Sequence, residues 1–91
     1  MNPTANWSLI PEHLRSSVEG YIEHREHPGD FLAAVASNDL LRAAQLADKT
    51  NRARLADIAD FFRLHAPQCS GSKANFKAWI VSNFEAGPSL L

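Results

Sequence analysis

The stretch Thr50–His65, TNRARLADIADFFRLH, constrains the fold of this 91-residue chain more than any other. Leu55, Ile58, Ala59 and Phe62 recur at spacings of three and four, so they share one face of an α-helix, and that face has to be buried. Phe61 and Leu64 widen the apolar stripe to roughly half the helix circumference, more than an ordinary surface helix needs. The stretch therefore reads as a central helix, about residues 50–65, touched on two sides.

The flanking segments supply what packs on it. Met1–Leu9 has a proline, two asparagines and no periodicity, and reads as an N-terminal arm anchored by Trp7. Pro11 suits the first position of a helix, and Ile10, Leu14, Val18, Tyr21 and Ile22 keep helical spacing, which predicts helix one from Pro11 to about Arg25. Gly20 weakens this helix and marks a close helix contact. His27-Pro28-Gly29 stops it. A short second helix, from Gly29 or Asp30 to Ser37, turns Phe31, Leu32 and Val35 inward. Asn38 breaks it, and Asp39 caps a third helix supported by Leu40, Leu41, Ala44 and Leu46 and ending near Ala47. Asp48 caps the central helix, and residues 66–71 form a loop. Ser72 caps a last helix, Lys73 to about Phe84, with Phe76, Trp79, Ile80 and Phe84 on its buried face, and residues 85–91 read as a tail. The expected fold is all-α: one domain over residues 1–91, a compact array of four or five helices around the central one, since the middle helices are too short for a regular four-helix bundle.

Composition narrows the function classes. The net charge is −1, which leaves duplex nucleic acid without the basic face it needs. Cys69 stands alone, so an internal disulfide and the multi-cysteine zinc frameworks are excluded, in keeping with a reducing cytoplasm. No run approaches a membrane span, and the first residues lack the basic and apolar regions of a signal peptide. Charge is unevenly spread: residues 1–40 hold two basic against six acidic side chains, residues 41–91 seven basic against four acidic. Either the halves attract each other across the fold, or the basic half faces an anionic ligand or partner.

Three places could carry chemistry. At the start of the central helix Lys49, Arg52 and Arg54 crowd an end that already carries partial positive charge, an arrangement that welcomes an anion unless Asp48 and the acidic residues of helix one neutralise it. In Cys69-Ser70-Gly71-Ser72-Lys73 a small-residue turn opens into a helix. Its Gly71 and Ser72 amides, with Lys73, could hold a phosphate or carboxylate, although the glycine spacing of a P-loop is absent and Ser72 also reads as a plain cap. The histidines His24 and His27 offer too few convergent ligands for a metal, and His65 with Cys69 reads as a helix end beside a packing thiol. Neither a catalytic residue, a metal nor a cofactor is expected. The expected ligand contacts are Lys49, Arg52, Gly71, Ser72 and Lys73, with Tyr21 as a stacking surface.

The string Ile10-Pro11-Glu12-His13, Tyr21-Ile22-Glu23-His24, Pro28-Gly29-Asp30-Phe31-Leu32, Ala34-Val35, Ser37-Asn38-Asp39-Leu40, Ala47-Asp48, Asn51-Arg52, His65-Ala66-Pro67 and Ala78-Trp79-Ile80 resembles a family of small bacteriophage- and prophage-encoded proteins. The resemblance spans roughly residues 10–80. It departs at Arg25-Glu26-His27, where the family has a glycine and apolar residues, and at Ser70, where a tryptophan is expected after Cys69. The resemblance implies an accessory protein of the host bacterial cytoplasm that acts by occupying something the host makes. One form is sequestration of a small anionic ligand, such as a nucleotide signal bound as counter-defence, by a homo-oligomer. The alternative is an inhibitor or adaptor that covers a host protein surface with the acidic face of helix one.

Overall fold

Three side-chain caps set where the helices begin. Asp39 accepts from the Arg42 amide at 3.1 Å, Asp48 from the Asn51 amide at 2.7 Å, and Ser72 Oγ from the Asn75 amide at 3.0 Å, each satisfying a donor that a helix start leaves without a partner. In the computed structural model, which describes residues 5–89 and their side chains as far as Ser82, they open three of six α-helices. These are α1 (Arg15–His24), α2 (Asp30–Ala36), α3 (Leu40–Leu46), α4 (Lys49–Ala53), α5 (Leu55–His65) and α6 (Lys73–Ser89). Short 3-10 turns cover Trp7–Leu9, Glu12–Leu14 and Pro67–Cys69, and no strand occurs among the described residues, so the fold is all-α. Residues 1–4 of the expected arm, Leu90 and Leu91 of the expected tail, and the side chain of Phe84 lie outside the described residues. Residues 85–89, read as tail, continue α6.

The helix ends are equally local in origin. Asn38 takes a left-handed conformation with φ 61°, and the Asp39 and Asn38 amides donate to the Ala34 and Val35 carbonyls at 2.9 and 3.1 Å, a Schellman closure of α2. Arg25 ends α1 with φ 57°, a conformation costing a non-glycine residue about 1–2 kcal/mol. Its side chain is held in return: the guanidinium lies 4.0 Å from the Trp79 ring centroid and donates to Ser82 Oγ. Gly20 makes room inside its own turn, not for a neighbouring helix. A Cβ there would meet the carboxylate of Glu26 at 2.5 Å as the chain turns back.

The central helix is broken. Residues 49–65 form α4 and α5 with a joint at Arg54, φ −110° and ψ 12°, so six α-helices stand where four or five were expected. Neither glycine nor proline signals the joint. There Arg54 Nε donates to Asp57 at 2.8 Å and Nη2 to the Ser8 carbonyl at 2.7 Å, which ties the arm to the body. The buried stripe of α5 is correspondingly narrow, comprising Ile58, Phe61 and Phe62, while Ala59 is exposed and Leu64 is 54% exposed. Trp7 seats on Phe61 with ring centroids 4.8 Å apart, as the arm's expected anchor.

The core assembles around Tyr21. Its ring lies 6.2 Å from that of Phe62 on α5 and 5.5 Å from that of Phe76 on α6, and its hydroxyl donates to the Cys69 carbonyl. Trp79 Nε1 donates to the Tyr21 carbonyl at 2.7 Å, so α1 is fastened to α6 by backbone as well as by ring packing. Ile10, Val18, Leu32, Ala36 and Ala66 complete the buried cluster. Removing the Tyr21 hydroxyl leaves a buried carbonyl unsatisfied. Tyr21→Phe is expected to lower the unfolding free energy by about 1–3 kcal/mol, measured by urea titration, with an unchanged helical circular-dichroism signal.

Candidate functional site

The six expected contact residues do not form one site. Tyr21 is 0% exposed, so it has no free face for a stacking ring. Its spacing with Val18 puts it on the core face of α1, and a stacking role needs an open ring face that spacing alone does not reveal. Gly71 has φ 93°, a conformation that glycine tolerates, and its amide already donates to the Ala36 carbonyl at 2.9 Å. Ser72 Oγ is engaged as the cap of α6. The small-residue turn is thereby a structural latch between α2 and α6, with fewer free donors than an anion cradle needs.

Lys49 and Arg52 sit on α4, both exposed. Arg52 Nη2 donates to the Ala44 carbonyl at 3.3 Å, near the end of α3. Asn51, between them in sequence, is buried with Oδ1 unpartnered among the described residues, an acceptor that opposes an anion. Arg54 is occupied by Asp57 and Ser8. The ion pairs Arg54–Asp57 and Arg63–Asp60 are both three residues apart in sequence, so they do not join the acidic and basic halves of the chain.

Cys69 and His65 are each committed elsewhere. The thiol is 0% exposed and donates to the Ala66 carbonyl at 3.6 Å, and burial pushes its pKa up to about 11. A nucleophilic cysteine requires the opposite shift, toward the thiolate. His65 Nε2 accepts from the Asn6 amide at 3.1 Å, and its ring lies 5.1 Å from that of Phe61. His27 Nδ1 accepts from the Gly29 amide at 3.1 Å. Among the described residues no three His, Cys, Asp or Glu side chains gather as a metal site would require, and no helix is long and apolar enough to cross a membrane.

Of the expected set, Gly71 borders the smaller of two neighbouring recesses, and Lys73 opens onto the larger, a groove of about 550 Å³ at the corner where α2 turns into α3. Its walls come from Asp30, Ala33 and Ser37 of the α2 side and from Leu40, Leu41 and Arg42 of α3. Asn38 also lines a second recess of about 340 Å³, floored by Phe62 and walled by Val35, Ala59 and Arg63. A third, of about 70 Å³, lies between Leu40, Leu55 and Ala59. Asn38 lines all three, so the corner is one continuous relief. Leu40 is 66% and Leu41 84% exposed on its rim, while α3 buries Ala43, and Ala47, the residue that ends it, is buried as well. Asp30, Asp39, Arg42 and Lys73 are exposed around the groove and make no ion pair with one another among the described residues.

Sequence reasoning missed this corner because it used both leucines only as support for a third helix and assigned no covered face to it. The signal that could have found it is the pair of alanines four residues apart, Ala43 and Ala47, a small flat face that seats a short helix close to its neighbours and turns the leucines outward. No family model, curated protein or solved structure matches the chain.

The buried thiol makes stability depend on alkaline pH. An unfolded cysteine releases its proton near the ordinary value of 9.0, whereas native Cys69 holds it to about 11. Between those values the native state binds more protons than the unfolded one, so its stability, complete below pH 9, falls as pH rises. Urea titrations from pH 8 to 11 are expected to show this decline, and Cys69→Ala to show a shallower one.

Proposed function

We propose that this protein acts by binding, that its working face is the α2–α3 corner, and that this face docks on a protein surface. The observation that carries the reading is the exposure of Leu40 and Leu41, 66% and 84%, on the rim of an open groove. Taking each out of water stabilises a complex by about 1.5–3 kcal/mol, whereas leaving both exposed contributes nothing to the monomer. A rim with two acidic and two basic side chains supplies the polar border of a protein interface. The bacteriophage-type setting implied by the sequence motifs suits such an accessory protein, counter-defence by occupancy included. This face replaces the acidic side of α1 as the contact surface of the inhibitor or adaptor reading.

Sequestration of a small anionic ligand is the second reading, favoured by the presence of Lys73 and Arg42 in one groove. Its volume of about 550 Å³ falls in the range of roughly 300–1,000 Å³ usual for ligand sites. Asp30 and Asp39 oppose an anion there, and the groove lies open, which ranks this reading below protein docking.

A photoreactive benzoylphenylalanine at position 41 separates the two. Protein docking predicts a covalent adduct with a polypeptide on irradiation in cells, and its loss when Leu40 is replaced by Glu. Ligand sequestration predicts that some member of a panel of mono-, cyclic and cyclic di-nucleotides raises Tm by more than about 5 °C, an effect removed by Lys73→Ala. Absence of any polypeptide adduct would overturn the docking reading.

A further inference from the structure

We propose that the α2–α3 corner pairs with the same corner of a second copy of this chain across a two-fold axis, an inference that rests on this face being a protein-docking surface. A two-fold interface must be complementary to itself, supplying projection and recess, and both signs of charge, from one patch. This corner does so. Leu41 stands 84% exposed beside the groove that it also helps to line, and Leu40 borders both that groove and the recess toward Leu55. One patch thus offers both projecting leucines and the recesses beside them, the two halves that a self-complementary contact requires.

Charge suits a second copy and disfavours a partner of a single sign. Asp30 and Asp39 are balanced by Arg42 and Lys73, and although Asp39 accepts from the Arg42 amide as the cap of α3, no two of the four charged groups form an ion pair among the described residues. Rotation about a two-fold can bring the acids of one copy toward the cations of the other. A partner carrying one sign of charge would meet like charge over half the rim, which is unfavourable once water is excluded.

Sedimentation equilibrium of the full-length protein from 1 to 200 µM tests the pairing. The expected result is a species of twice the chain mass, with Leu41→Glu weakening self-association by at least about tenfold while Tm of the dilute protein is retained. Asp30→Lys and Lys73→Glu should each weaken the dimer, and an equimolar mixture of the two should associate about tenfold more tightly than either alone. A monomer across the whole range, or a dimer indifferent to Leu41→Glu, overturns the proposal, and so does a mixture no tighter than its components. The photoreactive residue at position 41 keeps the two failures apart. An adduct of twice the chain mass supports the pairing. An adduct only with a different polypeptide overturns the second copy but leaves the docking reading standing, and no adduct removes both.

Discussion

The hydrogen bond from the Tyr21 hydroxyl to the Cys69 carbonyl is the constraint on which the other contacts converge. A phenol at 0% exposure requires an acceptor, and the carbonyl of buried Cys69, at the end of a 3-10 turn, requires a donor; each would be left unsatisfied without the other. Satisfying both fixes the distance between α1 and the turn that leads into α6. That placement lets the Tyr21 ring reach Phe62 and Phe76 and lets Trp79 donate to the Tyr21 carbonyl. Burial, with Cys69 beside it, pushes the phenol's pKa above its ordinary value and so favours the protonated, donating form. The same burial keeps the Cys69 thiol protonated. The core's polar centre is thus built for stability, and its reactive side chains are spent in building it.

What the sequence made legible follows from how local each cause is. Asp39, Asp48 and Ser72 cap helices because a side-chain oxygen reaches an amide three residues on, an interaction contained within four residues. The expected stop at His27-Pro28-Gly29 lies beyond the actual end of α1, which closes at left-handed Arg25, while Gly29 at φ 95° is the N-cap of α2. The joint at Arg54 was hidden because its partner, the Ser8 carbonyl, is distant in sequence. The role of Tyr21 was hidden in the same way, since its hydroxyl and ring meet partners contributed by residues 62–76. Helical periodicity placed Leu64 on a buried stripe and made Leu40 and Leu41 support for a helix, but it reports only which residues share a face. Which face is covered depends on the neighbours available, and here α3 seats on Ala43 and Ala47.

Of the basic candidates named from the sequence, only Lys73 lines the groove, and the reason is instructive for small domains. Charge clusters along a sequence suggest ligand sites, yet cationic side chains in a short chain are readily drawn into structural duty. Arg25 covers Trp79, Arg52 reaches the Ala44 carbonyl, and Arg54 ties the arm. Lys73 and Arg42, which make no ion pair among the described residues, share the open groove.

Ninety-one residues bury a limited share of their surface, so every large apolar side chain withheld from the core forgoes stability that such a domain has little of. Leu40 and Leu41 are withheld side by side, at the start of one helix, against a recess that the fold leaves open. Two alanines could have occupied those positions with better helix propensity and no exposed hydrocarbon. Because Asp39 already starts α3 and Ala43 with Ala47 already seats it, the leucines are not needed to form or place the helix. Their free energy is recovered only when something covers them, which makes the association state of this corner the property that the rest of the fold leaves undetermined within a single chain.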